Sequence, residues 1–309
     1  MKVSIVVPVY NASKYLERCL DSILASLGKI DGEILAIDNN STDDSAKIIK
    51  KYAKEHPQIQ ALSCKTPGAA AVRNYGAKRA KGEYLWFIDS DDEITKDAIS
   101  KLLKTAEKTS ADFVMLGMQR IYSDGHEDYL YAVNPKETGA KHRFVRYGLG
   151  PVQVFLRREW WNKYFKFKEG IIHEDMELMS TLILHTDNFS AIDEPLYRYY
   201  QNSGSVLHQK KWNPHAFDIF PALESLYNHF EKAGAIEEYR DDVEWFFIWN
   251  LLLDSAKDFS SFPEGKPGFK RTRTMLKKYF PKWHKNKYLR EKSPKLRLLI
   301  FLSYLGFRK

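Results

Sequence analysis

The chain has 309 residues, of which 44% are hydrophobic and 28% are charged, so its composition is that of a folded globular protein and excludes wholesale disorder. Its two cysteines exclude a disulfide framework and favour a reducing compartment. The net charge is +8, but residues 266–309 alone contain fifteen Lys or Arg and one acid. The basic character therefore belongs to the C-terminal tail, and the rest of the chain is mildly acidic.

Over the first hundred residues, short β-branched runs alternate with helical patterns, and this order predicts a parallel sheet. The predicted strands are residues 3–7, 33–37, 59–63 and 84–88. Ser13 is expected to cap the first intervening helix, and one of residues 40–42 the second. A third helix is predicted to begin after Pro67 and to close at Gly82. Together these elements predict a doubly wound α/β unit, in which ligands bind beyond the carboxyl ends of the strands.

Three carboxylates follow the fourth predicted strand directly: Asp89, Asp91 and Asp92, with Ser90 between the first two. Close carboxylates repel one another unless a cation or strong hydrogen-bond donors lie between them. Mg²⁺ and Mn²⁺ prefer oxygen ligands, and Mg²⁺ is usually bound by one or two carboxylates together with substrate phosphates. The cluster therefore predicts a divalent metal site, and an acidic turn that caps the next helix is the alternative.

The ends of the first two strands carry further candidate residues: Pro8, Tyr10 and Asn11 after the first strand, and Asp38 after the second. No G-x-G-x-x-G segment follows the first strand and no G-x-x-x-x-G-K-[ST] segment occurs, so the dinucleotide and P-loop interpretations lose their main support. A receiver-type phosphorylation domain would place an acidic pair after the first strand, where this chain has Val9 and Tyr10.

Beyond Asp92 the pattern changes. Strands are predicted at residues 111–118 and 151–157, and Asp124-Gly125 predicts a hairpin, so the sheet is expected to be mixed in this part of the chain. After about residue 213 helical patterns dominate. Residues 260–268 contain two Pro and two Gly and are predicted to be a linker before the basic tail.

Four segments, in this order and spacing, resemble the family 2 glycosyltransferases of the GT-A fold: residues 4–11, 36–43, 68–74 and 82–92. The resemblance spans about the first two thirds of the chain. It implies an α/β, Rossmann-like GT-A fold with a mixed, mainly parallel sheet flanked by helices and a C-terminal helical extension. On this basis residues 1–212 are predicted to form the catalytic domain, and residues 213–309 a helical region with a basic amphipathic tail.

The resemblance implies that a nucleotide-sugar donor binds at the strand ends. The implied donor contacts are Pro8, Tyr10, Asn11, Asp38, Arg73, Asn74, Asp89 and Ser90. Asp91 is implied to be the direct ligand of an Mn²⁺ or Mg²⁺ ion in a DXD motif, with Asp89 facing the ribose and the metal.

The chemistry of Asp38 narrows the choice of nucleotide. A carboxylate accepts well from the ring N–H of uracil or thymine, whereas cytosine has no proton at that nitrogen, so UDP or TDP is favoured. Helix capping is the alternative role for Asp38, and a helical surface cation is the alternative for Arg73.

The segment Glu174-Asp175-Met176-Glu177-Leu178 resembles the E-D-x-x-L element of the same family, whose Asp is the catalytic base. Asp175 is accordingly the predicted base, and Glu174 is the second choice. Acids in the first turn of a helix are also favoured by the helix dipole, which is the structural alternative. His173, beside the expected helix start, is interpreted as structural.

Residues 197–208 run from a predicted strand into a polar loop and are similar to a Y-R…S-x-S segment that can fold over the diphosphate in related enzymes. Arg198, Ser203 and Ser205 are predicted phosphate contacts, and His208 is a predicted metal ligand. An aromatic strand followed by an ordinary polar loop is an equal alternative.

These assignments predict an inverting glycosyltransferase that moves a sugar from a UDP- or TDP-sugar to an acceptor hydroxyl of a cell-surface glycan or a lipid-linked oligosaccharide. With a single base and a metal that serves the leaving group, a single displacement is expected. Two alternatives remain open: a metal-dependent nucleotidyltransferase, and a non-catalytic membrane-surface scaffold that keeps the fold. A nucleotidyltransferase would be expected to carry a Gly-rich basic phosphate loop after the first strand, which the sequence lacks there.

The C-terminal tail mixes Leu, Ile and Phe with Lys and Arg, a pattern that suits a helix lying in the surface of an anionic membrane. A terminal helix that packs on the core is the alternative, and a nucleic-acid partner is not expected because no recognition signature is present. The first apolar run is too short for a signal peptide and no stretch reaches the length of a membrane span. We therefore expect a cytoplasmic protein, peripheral at the cytoplasmic face of the membrane.

Overall fold

A computed structural model describes residues 1–201 and 211–307 of the chain. The chain divides into two compact units. The first comprises Met1–Ala140, Leu149–Gly170 and His185–Ser205, and the second comprises Lys141–Gly148, Ile171–Leu184 and Val206–Lys309. Two short segments, Lys141–Gly148 and Ile171–Leu184, therefore belong to the second unit although the chain on either side of them belongs to the first.

The first unit is built on a nine-stranded sheet. Its strands are β1 (Val3–Val9), β2 (Gly32–Asp38), β3 (Ile59–Ser63), β4 (Tyr84–Phe87), β5 (Glu93–Ile94), β6 (Phe113–Tyr122), β7 (Glu127–Leu130), β8 (Val154–Arg157) and β9 (Phe189–Gln201). Its helices are α1 (Leu16–Leu27), α2 (Ser45–Glu55), α3 (Ala69–Arg79), α4 (Ala98–Thr109) and α6 (Arg158–Tyr164). The strand order is β3-β2-β1-β4-β8-β6-β9-β5, and β7 pairs with β6.

The sheet is mixed, and most of its paired residues belong to parallel pairs. Strands β1 to β4 are parallel, β6 and β9 are parallel, and β8 lies antiparallel between β4 and β6. The four predicted strands of the N-terminal half and the Asp124-Gly125 hairpin are confirmed. The strand predicted at 151–157 begins only at Val154, because Pro151–Gln153 forms a 3-10 turn.

Helices cover both faces of strand β1, whose residues are buried except for the half-buried Pro8. On one face, Leu16, Leu20 and Ile23 of α1 join the core. On the other face α3 approaches very closely, since a Cβ atom at Gly76 would lie 2.5 Å from Cγ1 of Val6. This packing holds the carboxyl ends of β1, β2 and β4 in one row.

The predicted caps of α1 and α2 are wrong. Helix α1 begins at Leu16 and α2 at Ser45, and neither Ser13 nor residues 40–42 supplies a side-chain cap. Instead, the loops that precede the two helices bond to each other. Both oxygens of Asp43 accept backbone N–H groups, from Ser13 at 2.9 Å and from Ser45 at 3.0 Å. One bond between the loops and one local bond at the start of α2, both accepted by Asp43, thus take the place of the predicted caps.

Substitution of Asp43 by asparagine is expected to lower the free energy of unfolding by about 1 kcal/mol at neutral pH, because one acceptor becomes a donor that faces an N–H group. Burial raises the pKa of Asp43, but its hydrogen bonds from Ser45 and Ser13 outweigh this effect and lower the pKa from 3.8 to about 2. The ionised carboxylate therefore stabilises the fold above pH 3.8, and this contribution is lost as the pH falls towards 2. Urea unfolding curves of both proteins over this range are expected to converge at the acid end; a constant difference would contradict the assignment.

The second unit is helical. Its helices are α5 (Ala140–Tyr147), α7 (Glu174–Leu178), α8 (Ile219–Lys232), α9 (Arg240–Trp249), α10 (Ser255–Ser261), α11 (Pro267–Tyr279), α12 (Lys287–Arg290) and α13 (Pro294–Leu305). The helix predicted to carry Met179 ends at Leu178 and continues as a 3-10 helix, Met179–Leu184. Across the described ranges, 1–201 and 211–307, we find no helix long and apolar enough to cross a bilayer.

The predicted linker at residues 260–268 is also wrong. Helix α10 ends at Ser261, Pro263–Gly265 forms a 3-10 turn, and α11 begins at Pro267. A Cβ atom at Gly268 would lie 2.6 Å from the ring of Phe259, so glycine is required here for close packing. The Gly and Pro residues mark tight turns between packed helices.

Candidate active site

The loops after β1 and β2 lie side by side at the carboxyl edge of the sheet, because Val9 pairs with Asp38 in the parallel register. Asn11 adopts a positive φ of 48°, and its side-chain oxygen accepts from the backbone N–H of Thr42 at 2.8 Å. Tyr10 is 62% exposed, so its ring is available for stacking. Pro8, two residues earlier, is half-buried.

Asn39 joins the end of β2 to the loop before α3. Its buried side chain donates to the carbonyls of Cys64 and Thr66, both at 2.8 Å, and accepts from the N–H of Gly68 at 2.9 Å. Its neighbour Asp38 is half-buried, and Oδ1 of Asp38 accepts weakly from the N–H of Ser41 at 3.4 Å. These hydrogen bonds hold the end of β2, and with it Asp38, against the loop before α3.

Arg73 and Asp89 form an ion pair across this edge. Arg73 lies in α3 and is 6% exposed, and its Nη2 atom lies 2.9 Å from Oδ1 of Asp89. The guanidinium carbon lies 5.6 Å from the ring centre of Phe167. The surface-cation alternative for Arg73 is therefore wrong, since the side chain is buried against the acidic loop.

Substitution of Arg73 by methionine is expected to lower the free energy of unfolding by about 1–3 kcal/mol, because Asp89 loses a charge-assisted hydrogen bond and lies near two other carboxyl groups. Lys78→Met, an exposed position on the same helix, is the matched control and should change stability by less than about 0.5 kcal/mol. Chemical unfolding of the two variants measures the difference, and equal values would show that the ion pair does not stabilise the edge.

Asp92 is fully buried behind the acidic loop. Its Oδ2 accepts from the hydroxyl of Tyr197 at 2.7 Å, and its Oδ1 accepts from the N–H of Tyr200 at 2.8 Å. Burial raises the pKa of Asp92, and the nearby charges of Asp91 and Asp89 raise it further. Asp92 thus fixes the loop to strand β9, while Asp89 and Asp91 stay half-buried.

Negative charge is concentrated at Asp89 and Asp91. Burial raises the pKa of Tyr199 to about 12, and the charges of Asp92, Asp91 and Asp89 add to this rise. The same acids contribute to the raised pKa of the Cys19 thiol, whose burial is the larger cause. A divalent cation would relieve this repulsion, so the donor set fits Mn²⁺ or Mg²⁺.

The described side chains do not by themselves complete a metal shell. Within the part of the chain that the structure describes, no three His, Cys, Asp or Glu side chains form a group that could hold a metal ion. His208, the third predicted ligand, lies outside the described residues, as do Ser203 and Ser205. One or two carboxylates with substrate phosphates remain a sufficient ligand set for Mg²⁺.

Arg18 of α1 is a site residue that the sequence pattern did not reveal. Its Nη2 atom donates to the backbone carbonyl of Asp91 at 2.7 Å, and its Nε atom lies 2.8 Å from Oε1 of Glu93. Its guanidinium carbon lies 3.8 Å from the ring centre of Tyr200. Arg198, a predicted phosphate contact, lies 3.6 Å from Oε2 of the same Glu93. No local motif could have shown these contacts.

Asn74 has a clear structural role. Its amide oxygen accepts from the N–H of Phe167 at 2.9 Å, and its amide nitrogen donates to the carbonyl of Phe167 and to Oε1 of Glu169. The side chain thus fastens the segment after α6 to α3. Its predicted contact with the donor stays a prediction, as does that of the buried Ser90.

In the second unit, α7 begins with the two candidate bases. Glu174 is 8% exposed, whereas Asp175 is half-buried and its Oδ1 accepts from the N–H of Met176 at 2.8 Å. The more accessible carboxylate is the better candidate for contact with a substrate. Glu177, one turn of the helix from Glu174, accepts from the hydroxyl of Ser225 at 2.6 Å and attaches α7 to α8.

His173 precedes α7 with a positive φ of 72°. Burial lowers its pKa, and the charges of Asp175, Asp218 and Asp258 oppose this effect only partly. Because the neutral form is favoured, His173 adds no fixed positive charge beside the candidate base. The backbone N–H of Ile172 donates to Oδ2 of Asp218 at 3.1 Å, which holds the turn.

The family model "Glycosyl transferase family 2" matches residues 4–168, more than half of the chain. The chain belongs to this family. The match contains every candidate residue from Pro8 to Asp92, and it ends before the E-D-x-x-L segment. The fold is the GT-A fold predicted from the resemblance.

Among sequence relatives, the uncharacterized glycosyltransferase EpsJ of Bacillus subtilis (strain 168) is 29% identical over 253 residues, 76% of this chain and 72% of EpsJ. The poly(ribitol-phosphate) β-N-acetylglucosaminyltransferase TarS of Staphylococcus aureus (strain Mu50) is 23% identical over 246 residues, 79% of this chain. The match covers 43% of TarS, so the chain spans less than half of the length of that relative.

Two solved structures share the fold. The crystal structure of S. aureus TarS 1–349 in complex with UDP-GlcNAc has a TM-score of 0.78 and 20% identity, and the match covers 99% of this chain and 88% of that one. The mannosyltransferase PcManGT from Pyrobaculum calidifontis, in complex with GDP-Man and Mn²⁺, has a TM-score of 0.56 and 15% identity. The match covers 99% of this chain and 86% of that one.

Proposed function

We propose that this family 2 glycosyltransferase transfers a sugar from a UDP-sugar or TDP-sugar to an acceptor hydroxyl with inversion. The family match over residues 4–168 carries the proposal, because it contains the strand ends where the nucleotide is assigned. Asp38 and the exposed ring of Tyr10 are the proposed base contacts. UDP is further supported by the similar fold of TarS, whose structure contains UDP-GlcNAc.

Asp91, with Asp89 beside it, would hold a Mn²⁺ or Mg²⁺ ion. The ion would supply positive charge to the diphosphate as it leaves. Arg73 keeps Asp89 oriented through their ion pair, and Arg18 fixes the backbone at Asp91. The half-buried position and the concentrated negative charge of these carboxyl groups support this assignment.

Asp175 is the proposed general base, which takes the proton of the acceptor hydroxyl as the oxygen attacks the anomeric carbon. Attack by one activated hydroxyl opposite the leaving group gives inversion. Its support is the match of Glu174 to Leu178 with the E-D-x-x-L element and the greater exposure of Asp175. Arg198, Ser203, Ser205 and His208 stay proposed contacts of the diphosphate and metal.

The proposed acceptor is a cell-surface glycan or a lipid-linked oligosaccharide. The TarS relative is a poly(ribitol-phosphate) β-N-acetylglucosaminyltransferase, and its polymeric acceptor supports a large cell-surface acceptor for this chain. The proposed location is cytoplasmic and peripheral at the membrane, and its support is the basic C-terminal tail.

A panel of UDP-, TDP- and CDP-sugars with Mn²⁺, screened by thermal unfolding, tests the donor assignment. A ligand that binds only the folded state at about 100 times its Kd stabilises the protein by about 2.7 kcal/mol. UDP- or TDP-sugars are expected to raise the melting temperature, and a CDP-sugar included as the control to raise it much less, because cytosine has no ring N–H for Asp38 to accept. Product analysis of the reaction with donor and acceptor is a separate test. Released UDP would indicate glycosyl transfer, whereas released pyrophosphate would refute the proposed function in favour of nucleotidyl transfer.

A further inference from the structure

Helix α13 is apolar around most of its circumference, and the protein covers only one side of it. Ile300 and Ser303 are buried, and the helix packs against α11 and the segment Asn250–Asp254. Arg273 of α11 donates to the carbonyl of Tyr304 at 3.1 Å, which fastens the end of the helix. The orientation of α13 within its unit is therefore defined.

The other side of α13 exposes a row of large apolar side chains. Leu298 is 58% exposed, Phe301 49% and Leu305 43%, and their spacing of three and four places them in one line along the helix. Phe307, just beyond the helix, is 70% exposed. Single exposed apolar residues are normal, but a continuous row is typical of an interaction surface.

Cations border this row. At about 100° per residue, Lys295 and Arg297 fall on opposite sides of the line through Leu298 and Leu305. Both are exposed, and neither forms an ion pair with any residue in the described ranges. The surrounding residues 266–309 carry fifteen basic residues and one acid. An apolar line with one cation on each side of it, in a strongly basic tail, is complementary to lipid tails beneath anionic headgroups.

We propose that the row Leu298, Phe301 and Leu305 inserts α13 into the headgroup region of an anionic lipid bilayer, with Lys295 and Arg297 against the lipid phosphates. The inference rests on the peripheral location proposed above and defines its surface, and it is independent of the catalytic assignments. A second copy of the chain fits this surface poorly, since a symmetric pair would bring two strongly basic tails together. Nucleic acid offers no partner for the apolar row.

Sedimentation of the full chain with vesicles tests the proposal. We expect binding to vesicles that contain phosphatidylglycerol, much weaker binding to phosphatidylcholine alone, and a decrease with added salt. Phe301→Ser combined with Leu305→Ser should weaken binding about tenfold or more, and Lys295→Glu combined with Arg297→Glu should do the same. The matched controls lie in the first unit: Tyr131→Ser, at a 69% exposed position, and Lys104→Glu with Lys108→Glu, at exposed cations.

Two further measurements separate the possible outcomes. Unchanged melting temperature and unchanged UDP binding in the α13 variants would show that fold and donor site are intact, so a failure of the proposed catalytic function cannot imitate a failure of docking. Wild-type affinity in the α13 variants, or equal binding to both kinds of vesicle, would overturn the proposal. So would a concentration-dependent dimer in sedimentation equilibrium that Phe301→Ser with Leu305→Ser abolishes, because the row would then serve self-association.

Discussion

Substitution of Asp175 by asparagine is expected to lower the rate of sugar transfer by about 10²- to 10⁴-fold, the usual contribution of a general base. Asparagine keeps the shape and the hydrogen bond to the N–H of Met176 but cannot take a proton from the acceptor. Release of UDP from the donor in the presence of acceptor, under single-turnover conditions, measures the effect. Calorimetry should show unchanged binding of UDP, because Asp175 is assigned no contact with the nucleotide.

Glu174→Gln is the matched control for this prediction. Glu174 is the neighbouring acid in the same first turn, but it is buried, so we expect its replacement to preserve most of the transfer rate. A large loss in Glu174→Gln together with an active Asp175→Asn would assign the base to Glu174. Activity in both variants would remove the E-D-x-x-L segment from the chemistry altogether.

Substitution of Asp91 by asparagine is expected to reduce transfer by at least about 100-fold, equivalent to about 2.7 kcal/mol of transition-state stabilisation. A neutral amide binds a divalent ion more weakly than a carboxylate and leaves the diphosphate charge uncompensated. Initial rates measured against Mn²⁺ concentration should show a raised metal requirement, and a chelator should abolish wild-type activity.

Asp124→Asn is the control for Asp91→Asn, since it makes the same chemical change at the β6–β7 turn, where Asn-Gly is as favourable as Asp-Gly. It should retain full activity. Because Asp91→Asn removes a half-buried negative charge near Asp89 and Asp92, its folding stability should be unchanged or higher. A loss of activity that follows from unfolding would therefore be recognised by thermal denaturation.

The parallel strands, and the candidate residues that lie at the carboxyl ends of β1, β2 and β4, could be predicted from the sequence. Strand β4 is a continuous apolar run and β1 is one apart from Ser4, and both are followed closely by polar residues, as is typical of a strand buried on both faces. Since parallel strands present their carboxyl ends at one edge, Tyr10, Asp38 and Asp89 were expected at that edge.

The contacts that orient those residues could not be predicted. Arg18 reaches the carbonyl of Asp91 across 73 positions in sequence, and Asp92 bonds Tyr197 across 105. Such pairs leave no periodic signal, because each depends on how helices and strands pack in three dimensions. Asp43 is similar. A pattern of Ser, Thr and Asn before a helix indicates a local cap, whereas in the folded protein the carboxylate of Asp43 accepts from the N–H groups of both Ser13 and Ser45.

The Gly- and Pro-containing segment before α11 was misinterpreted for a different reason. Glycine permits flexible turns, but it also permits close packing, and sequence alone does not distinguish the two uses. At Gly265 and Gly268 the neighbouring Phe259 backbone and ring leave no room for a Cβ atom. The close contact between α10 and the start of α11 is therefore the reason for glycine at these two positions.

Anomalous scattering from crystals grown with UDP and Mn²⁺ tests the central claim most directly. We expect a manganese peak in bonding contact with a carboxylate oxygen of Asp91 and with phosphate oxygens of UDP, and a uracil ring beside Asp38. Bound UDP without manganese at Asp91, or manganese bound only elsewhere on the chain, would contradict it.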